Sequence, residues 1–289
     1  MSDVRCRLCG STDVSLRIPL EGYSVYRCRS CSGVFSDVPA EAIGGLYGER
    51  YYTGEFGPYF SALFGDTDDA PLRRHFSRYL DALERSVSGR RILDVGCAAG
   101  LFLDVARERG WDVEGIDVSE HAAAVARDRL YVEVRVGDVA ELDLPEHAWD
   151  AVTLMDALEH MAEPGALLER LRGLIAPGGV LMLVLPNDRN PTTMLAMAIY
   201  RLSLHRIAYP ASRVHQIYHV TYFTPATISV LLERHGFEVV EVAPDETVRD
   251  LLNESPFMRA AVGAVFGLAR MLRLRNKMVV VARPKEDRS

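Results

Sequence analysis

The chain has 289 residues, 48% of them hydrophobic and 25% charged, with a formal net charge of −7. That length buries a full core and allows one large domain with a small companion, while 33 basic against 40 acidic residues leave no broad electrostatic footprint for nucleic acid. Met1 to Cys6 form no apolar secretion signal and no run approaches the roughly 20 apolar residues of a membrane span, so a cytoplasmic protein working on small molecules is expected.

From the N-terminus, two Cys-x-x-Cys knuckles come first, Cys6 with Cys9 and Cys28 with Cys31, separated by eighteen residues. This is the spacing of a four-cysteine zinc ribbon, whose closed tetrahedron leaves no open position, so the metal is expected to be structural. Short strands are expected at 15–18 and 23–26. A ribbon over 1–40 is too small to fold on apolar burial alone, and metal binding supplies the missing stability. Disulfides are the alternative, but nothing indicates an oxidising compartment. Arg5, Arg7, Arg17, Arg27 and Arg29 are nearly balanced by Asp3, Asp13, Glu21 and Asp37, which leaves little charge for docking RNA. In the connecting region, 41–88, seven aromatics fall between Tyr47 and Phe64 with glycines among them. Such a stretch suits a lid over bound substrate, or packing of the ribbon against the core. A helix is expected from about Pro71 to Val87.

From residue 89 to 289 strands and helices alternate as in a parallel α/β sheet. Strands are expected at 91–96, 112–117, 132–136, 149–154 and 179–185, then at 237–242 and 277–282, with a helix at 225–235. The first strand breaks at Gly96-Cys97-Ala98-Ala99-Gly100 into a helix start. Gly96 and Gly100 remove Cβ atoms that would keep a ligand off the backbone, and Asp94 can accept hydrogen bonds from a cationic or amino group. A dinucleotide loop carries its glycines as G-x-G-x-x-G, whereas here an acid stands two places before the first glycine. Asp117 then ends the second strand and Gly137-Asp138-Val139 follows the third.

These features, in this order, resemble the class I S-adenosylmethionine-dependent methyltransferases. The resemblance implies a seven-stranded Rossmann-like sheet that binds S-adenosylmethionine. Asp94, Gly96, Cys97 and Gly100 would face its methionine part, Asp117 its ribose hydroxyls and Asp138 its adenine, with Val118, Val139 and Met155 beside them. Ala98 stands where many relatives have a third glycine, and its methyl group is expected to tighten or tilt the turn.

The fourth strand ends at Met155-Asp156-Ala157-Leu158-Glu159-His160, similar to the E-x-x-E-H run of the ubiquinone-biosynthesis O-methyltransferases. That likeness implies a candidate divalent cation near Asp156, Glu159 and His160, polarising an acceptor hydroxyl, although Asp156 is one methylene shorter than the family's first acid. Residues 187–222 form an insertion longer than an ordinary connection, with Met194, Leu195, Met197, Ile199 and Tyr200 in it, and are a candidate helical cap over substrate. His219-Val220-Thr221-Tyr222-Phe223-Thr224, then Gly236-Phe237, looks like the same family's H-x-x-Y-F-T and G-F pattern. His219 and His160 are candidate general bases because imidazole titrates near neutral pH, while Arg213, His215 and Tyr218 are candidates to read substrate. From Ser255 to Lys285 there is no acid, and Met258, Val262, Val265, Phe266, Ala269 and Leu272 recur at helical spacing. Such a basic amphipathic helix packs on the core or meets a membrane surface or lipid-linked substrate.

The expected enzyme methylates a small-molecule acceptor at oxygen in a biosynthetic pathway, the acceptor being a natural product, a sugar or a quinone-like compound. The alternatives are a sugar C-methyltransferase, an RNA-modifying methyltransferase and a cofactor-binding protein without turnover.

Overall fold

A computed structural model describes residues 4–43, 57–64, 67–130, 133–248 and 274–286, together with Gly267 and Met271. Its main sheet comprises β4 (Arg91–Val95), β5 (Asp112–Asp117), β6 (Val134–Val136), β7 (Trp149–Met155), β8 (Ile175–Pro186), β10 (Phe237–Asp245) and β11 (Lys277–Pro284). The strand order is β10-β11-β8-β7-β4-β5-β6, parallel except that β11 runs antiparallel to both β8 and β10. From Val180 to Leu185 every residue of β8 is buried, as expected for a central strand covered on both faces. Strand β8 begins earlier than its apolar run, because Ile175 already pairs with Trp149 ahead of an irregularity in register.

β4 lies between β5 on one side and β7 on the other. The chain therefore reverses its direction of winding at the carboxyl end of β4, which is where an open α/β sheet leaves a crevice for a ligand. Helix α3 (Ala70–Ser86), with Pro71 in its first turn, buries Leu72, His75, Phe76, Tyr79, Leu80 and Leu83. This spacing puts one stripe of the helix on the sheet. Shorter helices α1 (Ala40–Ile43) and α2 (Gly57–Phe64) precede it, and Ala62 and Leu63 join the same apolar cluster. Helices α4 (Leu101–Glu108), α5 (Glu120–Leu130) and α6 (Pro164–Leu174) make the crossovers.

The second sheet is where the structure goes beyond sequence expectation. β1 (Val14–Leu20) and β2 (Tyr23–Cys28) are joined by β3 (Val34–Ser36), and β3 pairs with β9 (Thr221–Tyr222), a strand from the far end of the insertion. The cysteine head is thus built into the core. Cys6, Leu8, Cys28 and Phe35 share an apolar cluster with Leu158, Leu168 and Phe223. The insertion holds helices α7 (Pro191–Leu202) and α8 (Tyr209–Val214), and packs Met197, Tyr200 and Ala211 against Ile18, Val25 and Val34. Helix α9 (Pro225–Arg234) follows, its start capped by Thr224 and Thr227.

The aromatic stretch at 46–56 and most of the acid-free segment expected as a basic helix lie outside the described residues. No helix among the described residues is long and apolar enough to cross a membrane.

Candidate active site

The glycine loop hangs from the end of β5. Gly96 and Cys97 donate backbone N–H groups to Ile116 O at 2.8 and 3.1 Å, and Ala98 N–H donates to Asp117 Oδ2 at 2.8 Å. Gly96, Ala98 and Gly100 have φ of 80°, 47° and 74°. Ala98 therefore holds a left-handed conformation that disfavours a Cβ, and the Asp117 carboxylate is what fastens it. The other Asp117 oxygen accepts from Ser119 N at 2.8 Å. Burial pushes the carboxyl of Asp117 up, against the pull of these amides. Each oxygen keeps a lone pair for a further donor. Beneath the loop Asp94 is buried and accepts from Thr153 Oγ1 at 2.6 Å. Burial pushes its carboxyl up to about 7, with the Thr153 bond pulling down and the Asp117 charge pushing up. Cys97 is buried, while Val118 stands 61% exposed beside Asp117 and offers an apolar surface at the mouth of the cradle. Asp138 is exposed and accepts from Ala140 N at 2.9 Å, and Val139 points into the core.

The other wall is the loop after β7. A Cβ on Gly96 would stand 3.1 Å from that of Ala157, so cradle and loop are in close approach. Asp156 takes φ 52° and pairs with Lys277 at the start of β11. Asp156 and Lys277 line a cleft with Met155, Phe76, Tyr79 and Val248. At its rim Asp245 Oδ2 accepts from Tyr79 Oη at 2.5 Å and lies 3.0 Å from His75 Nε2.

A single turn, Leu158–His160, then carries two of the predicted residues inward. Glu159 is 1% exposed, and neither carboxylate oxygen has a hydrogen-bond partner. Burial, then the Asp156 charge, pushes its carboxyl well above the usual range. His160 Nδ1–H donates to Tyr218 O at 2.8 Å, and its Nε2 lies 3.9 Å from Glu159 Oε1. The His219 ring lies edge-on to His160 with centroids 4.9 Å apart. Burial lowers the pKa of both imidazoles, His219 much more strongly.

One ligand atom from each of Glu159, His160 and His219 lies within 4.8 Å of the others. Of the residues expected around a cation, Asp156 pairs through Oδ2 with Lys277 and keeps Oδ1 buried without a hydrogen-bond partner, while Glu159 and His160 stand with His219. A buried carboxylate without a hydrogen-bond partner beside two imidazoles is a donor set that fits a divalent cation. His215, expected to read substrate, is fully buried with its Nε2 3.4 Å from Asp188 Oδ1, so it serves the interior. Sequence reasoning missed Lys277, Thr153 and the His75–Tyr79–Asp245 group. Lys277 had a signal, being one of only two lysines in the chain.

The four N-terminal thiols also converge. Cys6 Sγ lies 3.6 Å from Cys31 Sγ, and Cys9 Sγ 3.6 Å from Cys28 Sγ. A disulfide needs about 2.05 Å, whereas zinc–thiolate bonds of about 2.3 Å put tetrahedral sulfurs roughly 3.8 Å apart. Burial pushes the Cys6 and Cys31 thiols up. For Cys28 burial is outweighed by the Cys31 and Ser30 amides and the neighbouring thiols, which hold it at about 7.

Residues 69–242 match the family model of a methyltransferase domain. The ubiquinone biosynthesis O-methyltransferase of Bordetella avium is 35% identical over 131 residues, 43% of this chain and 53% of that relative. The enzyme of the same description from Alkalilimnicola ehrlichii is 37% identical over 137 residues, 44% of this chain and 53% of that one. The chain thus spans about half the length of these curated relatives. Among solved structures, a SAM-dependent methyltransferase from Archaeoglobus fulgidus superposes with a TM-score of 0.52 at 18% identity, covering 82% of this chain and 98% of that one. Phosphoethanolamine N-methyltransferase 2 of Haemonchus contortus gives 0.59 at 18% identity, covering 88% and 63%. At such identities the likeness is one of fold. With a family domain matched over more than half its length on a sheet of this order, the chain belongs to the class I S-adenosylmethionine-dependent methyltransferases.

Proposed function

We propose that the protein moves the methyl group of S-adenosylmethionine to a hydroxyl oxygen of a small quinone-like or catechol acceptor, and that its four N-terminal thiolates hold a structural zinc. The observation that carries the acceptor chemistry is Glu159, a buried carboxylate without a partner beside His160 and His219. A divalent cation held by these three would lower the pKa of an acceptor hydroxyl. The residues around it do the rest. Asp94 and Asp117 hold the cofactor, and Met155, the Asp156–Lys277 pair, Tyr79 and His75 line the adjoining cleft. Transfer breaks the sulfonium–methyl bond, forms the oxygen–methyl bond and releases the hydroxyl proton, so the main task of the site is to orient the acceptor in line. The partial likeness to ubiquinone biosynthesis O-methyltransferases supports the acceptor class.

The test follows S-adenosylhomocysteine release from S-adenosylmethionine with a panel of catechols and added Mg²⁺. Turnover is expected with at least one catechol, and Glu159→Gln is expected to lose ~10²-fold or more of it while S-adenosylhomocysteine affinity is kept. A variant as fast as the parent would remove Glu159 from the chemistry. Silence across the catechols beside turnover of other alcohols would remove the acceptor class.

A further inference from the structure

The cysteine head grips both halves of the Glu159–His160–His219 group. Arg7, inside the Cys6-x-x-Cys9 knuckle, donates from Nη1 to Ala162 O at 3.0 Å, from Nε to Ser36 O at 3.3 Å, and from Nη2 to Val38 O. Its guanidinium therefore ties the knuckle at once to the end of the Glu159–His160 loop and to strand β3. From β3 the bonding continues. Ser36 N–H donates to Val220 O at 3.0 Å, and Val220 N–H donates to Glu159 O at 2.9 Å. His160 reaches back to Tyr218 O at 2.8 Å. A second arm comes from the ribbon sheet, where Arg17 Nη1 pairs with Asp188 Oδ2 at 2.8 Å with both side chains largely buried. Asp188 in turn donates its N–H to Phe223 O at 2.8 Å, just past β9. His219 and the Glu159–His160 turn come from segments far apart in sequence, and the ribbon is the body that spans them.

We propose that Arg7 is a positioning residue for this site, setting the Glu159–His160 turn against the segment that carries His219 so that the three ligand atoms stay convergent. Arginine suits the task because its planar fork can serve three carbonyls together, whereas a lysine ammonium at the same place reaches fewer of them at worse angles. The Arg7 guanidinium is turned inward onto the loop that bears the site.

The proposal rests on the reading of Glu159, His160 and His219 as a cation site, and the test separates the two. Mn²⁺ binding to the zinc-loaded full chain is followed by electron paramagnetic resonance in the parent, Arg7→Ala, Arg7→Lys and Glu159→Gln proteins. Zinc content and S-adenosylhomocysteine affinity are read alongside. Arg7→Ala is expected to weaken Mn²⁺ binding about 10- to 100-fold, the usual effect of losing the support of a ligand. Zinc and S-adenosylhomocysteine binding should stay at parent level, Arg7→Lys should fall between, and millimolar methylguanidinium should restore part of the Ala variant's loss. If Arg7→Ala sheds its zinc, Arg7→Lys decides. Parent-level Mn²⁺ affinity in the zinc-retaining variant overturns the positioning role. Equal Mn²⁺ binding by parent and Glu159→Gln overturns the cation site instead. In that case amide exchange judges Arg7 alone: faster exchange at Met161 and Val220 in Arg7→Ala, with β4 unchanged, keeps the positioning role, and unchanged exchange ends it.

Discussion

Asp94 is expected to make cofactor binding a proton-linked event. Its carboxyl lies 1% exposed under the glycine loop, and burial lifts it from 3.8 to about 7. A shift of that size makes ionisation in the free protein harder by roughly 4 kcal/mol than in water. The amino group of the cofactor's methionine part brings a positive charge that favours the carboxylate. Below pH about 7 the free protein holds a proton on Asp94 that binding must expel, so affinity for S-adenosylhomocysteine should weaken by about tenfold for each unit of pH below that point. Above it affinity should level off. The same shift has a sign for stability. The folded state binds the extra proton between 3.8 and about 7, so without ligand stability falls as pH rises through that window, and bound cofactor offsets the loss. Calorimetry in two buffers of different ionisation enthalpy would count the proton released. Asp94→Asn, which can still accept from Thr153, should bind more weakly at about pH 8 and show no slope. An affinity for the parent that is flat between about pH 5.5 and 8, with no proton released, would refute the argument.

Two further outcomes follow from the same carboxylate chemistry. Asp117→Ala leaves the Ala98 and Ser119 amides without their acceptor, at about 1–3 kcal/mol each, and S-adenosylhomocysteine binding should fall ~10²-fold or more. Asn, keeping one acceptor oxygen, should fall between, and an unchanged affinity for the Ala variant by calorimetry would place the ribose elsewhere. For Asp245 burial raises the carboxyl, but the hydrogen bond and charge of His75 and the Tyr79 hydroxyl outweigh it and hold the group at about 2. This depressed value contributes about 2 kcal/mol above the ordinary carboxylate range and is lost as pH falls toward 2. Asp245→Asn should therefore be less stable than the parent in neutral denaturant titrations, with the gap closing in acid. A gap constant with pH would mean that packing, rather than charge, sets it.

The strands of the main sheet were legible because a buried parallel strand must be a short apolar run, and Ile92 to Val95 and Val180 to Leu185 are such runs. Asp94 and Asp117 drew attention because each acid stands at or near the end of an apolar strand, Asp94 two places before a glycine turn. Strand β9 was not, since two residues have no period to read, and its partner strand lies near the opposite end of the chain. The same non-locality hid the meeting of Glu159, His160 and His219. Asp156, Glu159 and His160 look like one group because they are neighbours in sequence, but the left-handed φ of 52° at Asp156 sends that residue to Lys277 instead. His219 could be suspected alone. Only the ribbon strand shows why it meets Glu159.

The pairing of β3 with β9 also bears on what the growing chain exposes. The cysteine knuckles lie within the first 31 residues and are made while most of the chain is still unmade. The inner face of that early piece, Ile18, Val25 and Val34, finds its cover only when Met197, Tyr200, Ala211 and Tyr222 arrive. Until then the nascent ribbon displays an apolar face and an unpaired strand edge. The interval in which the growing chain is most exposed to aggregation therefore lasts nearly as long as translation of the methyltransferase domain.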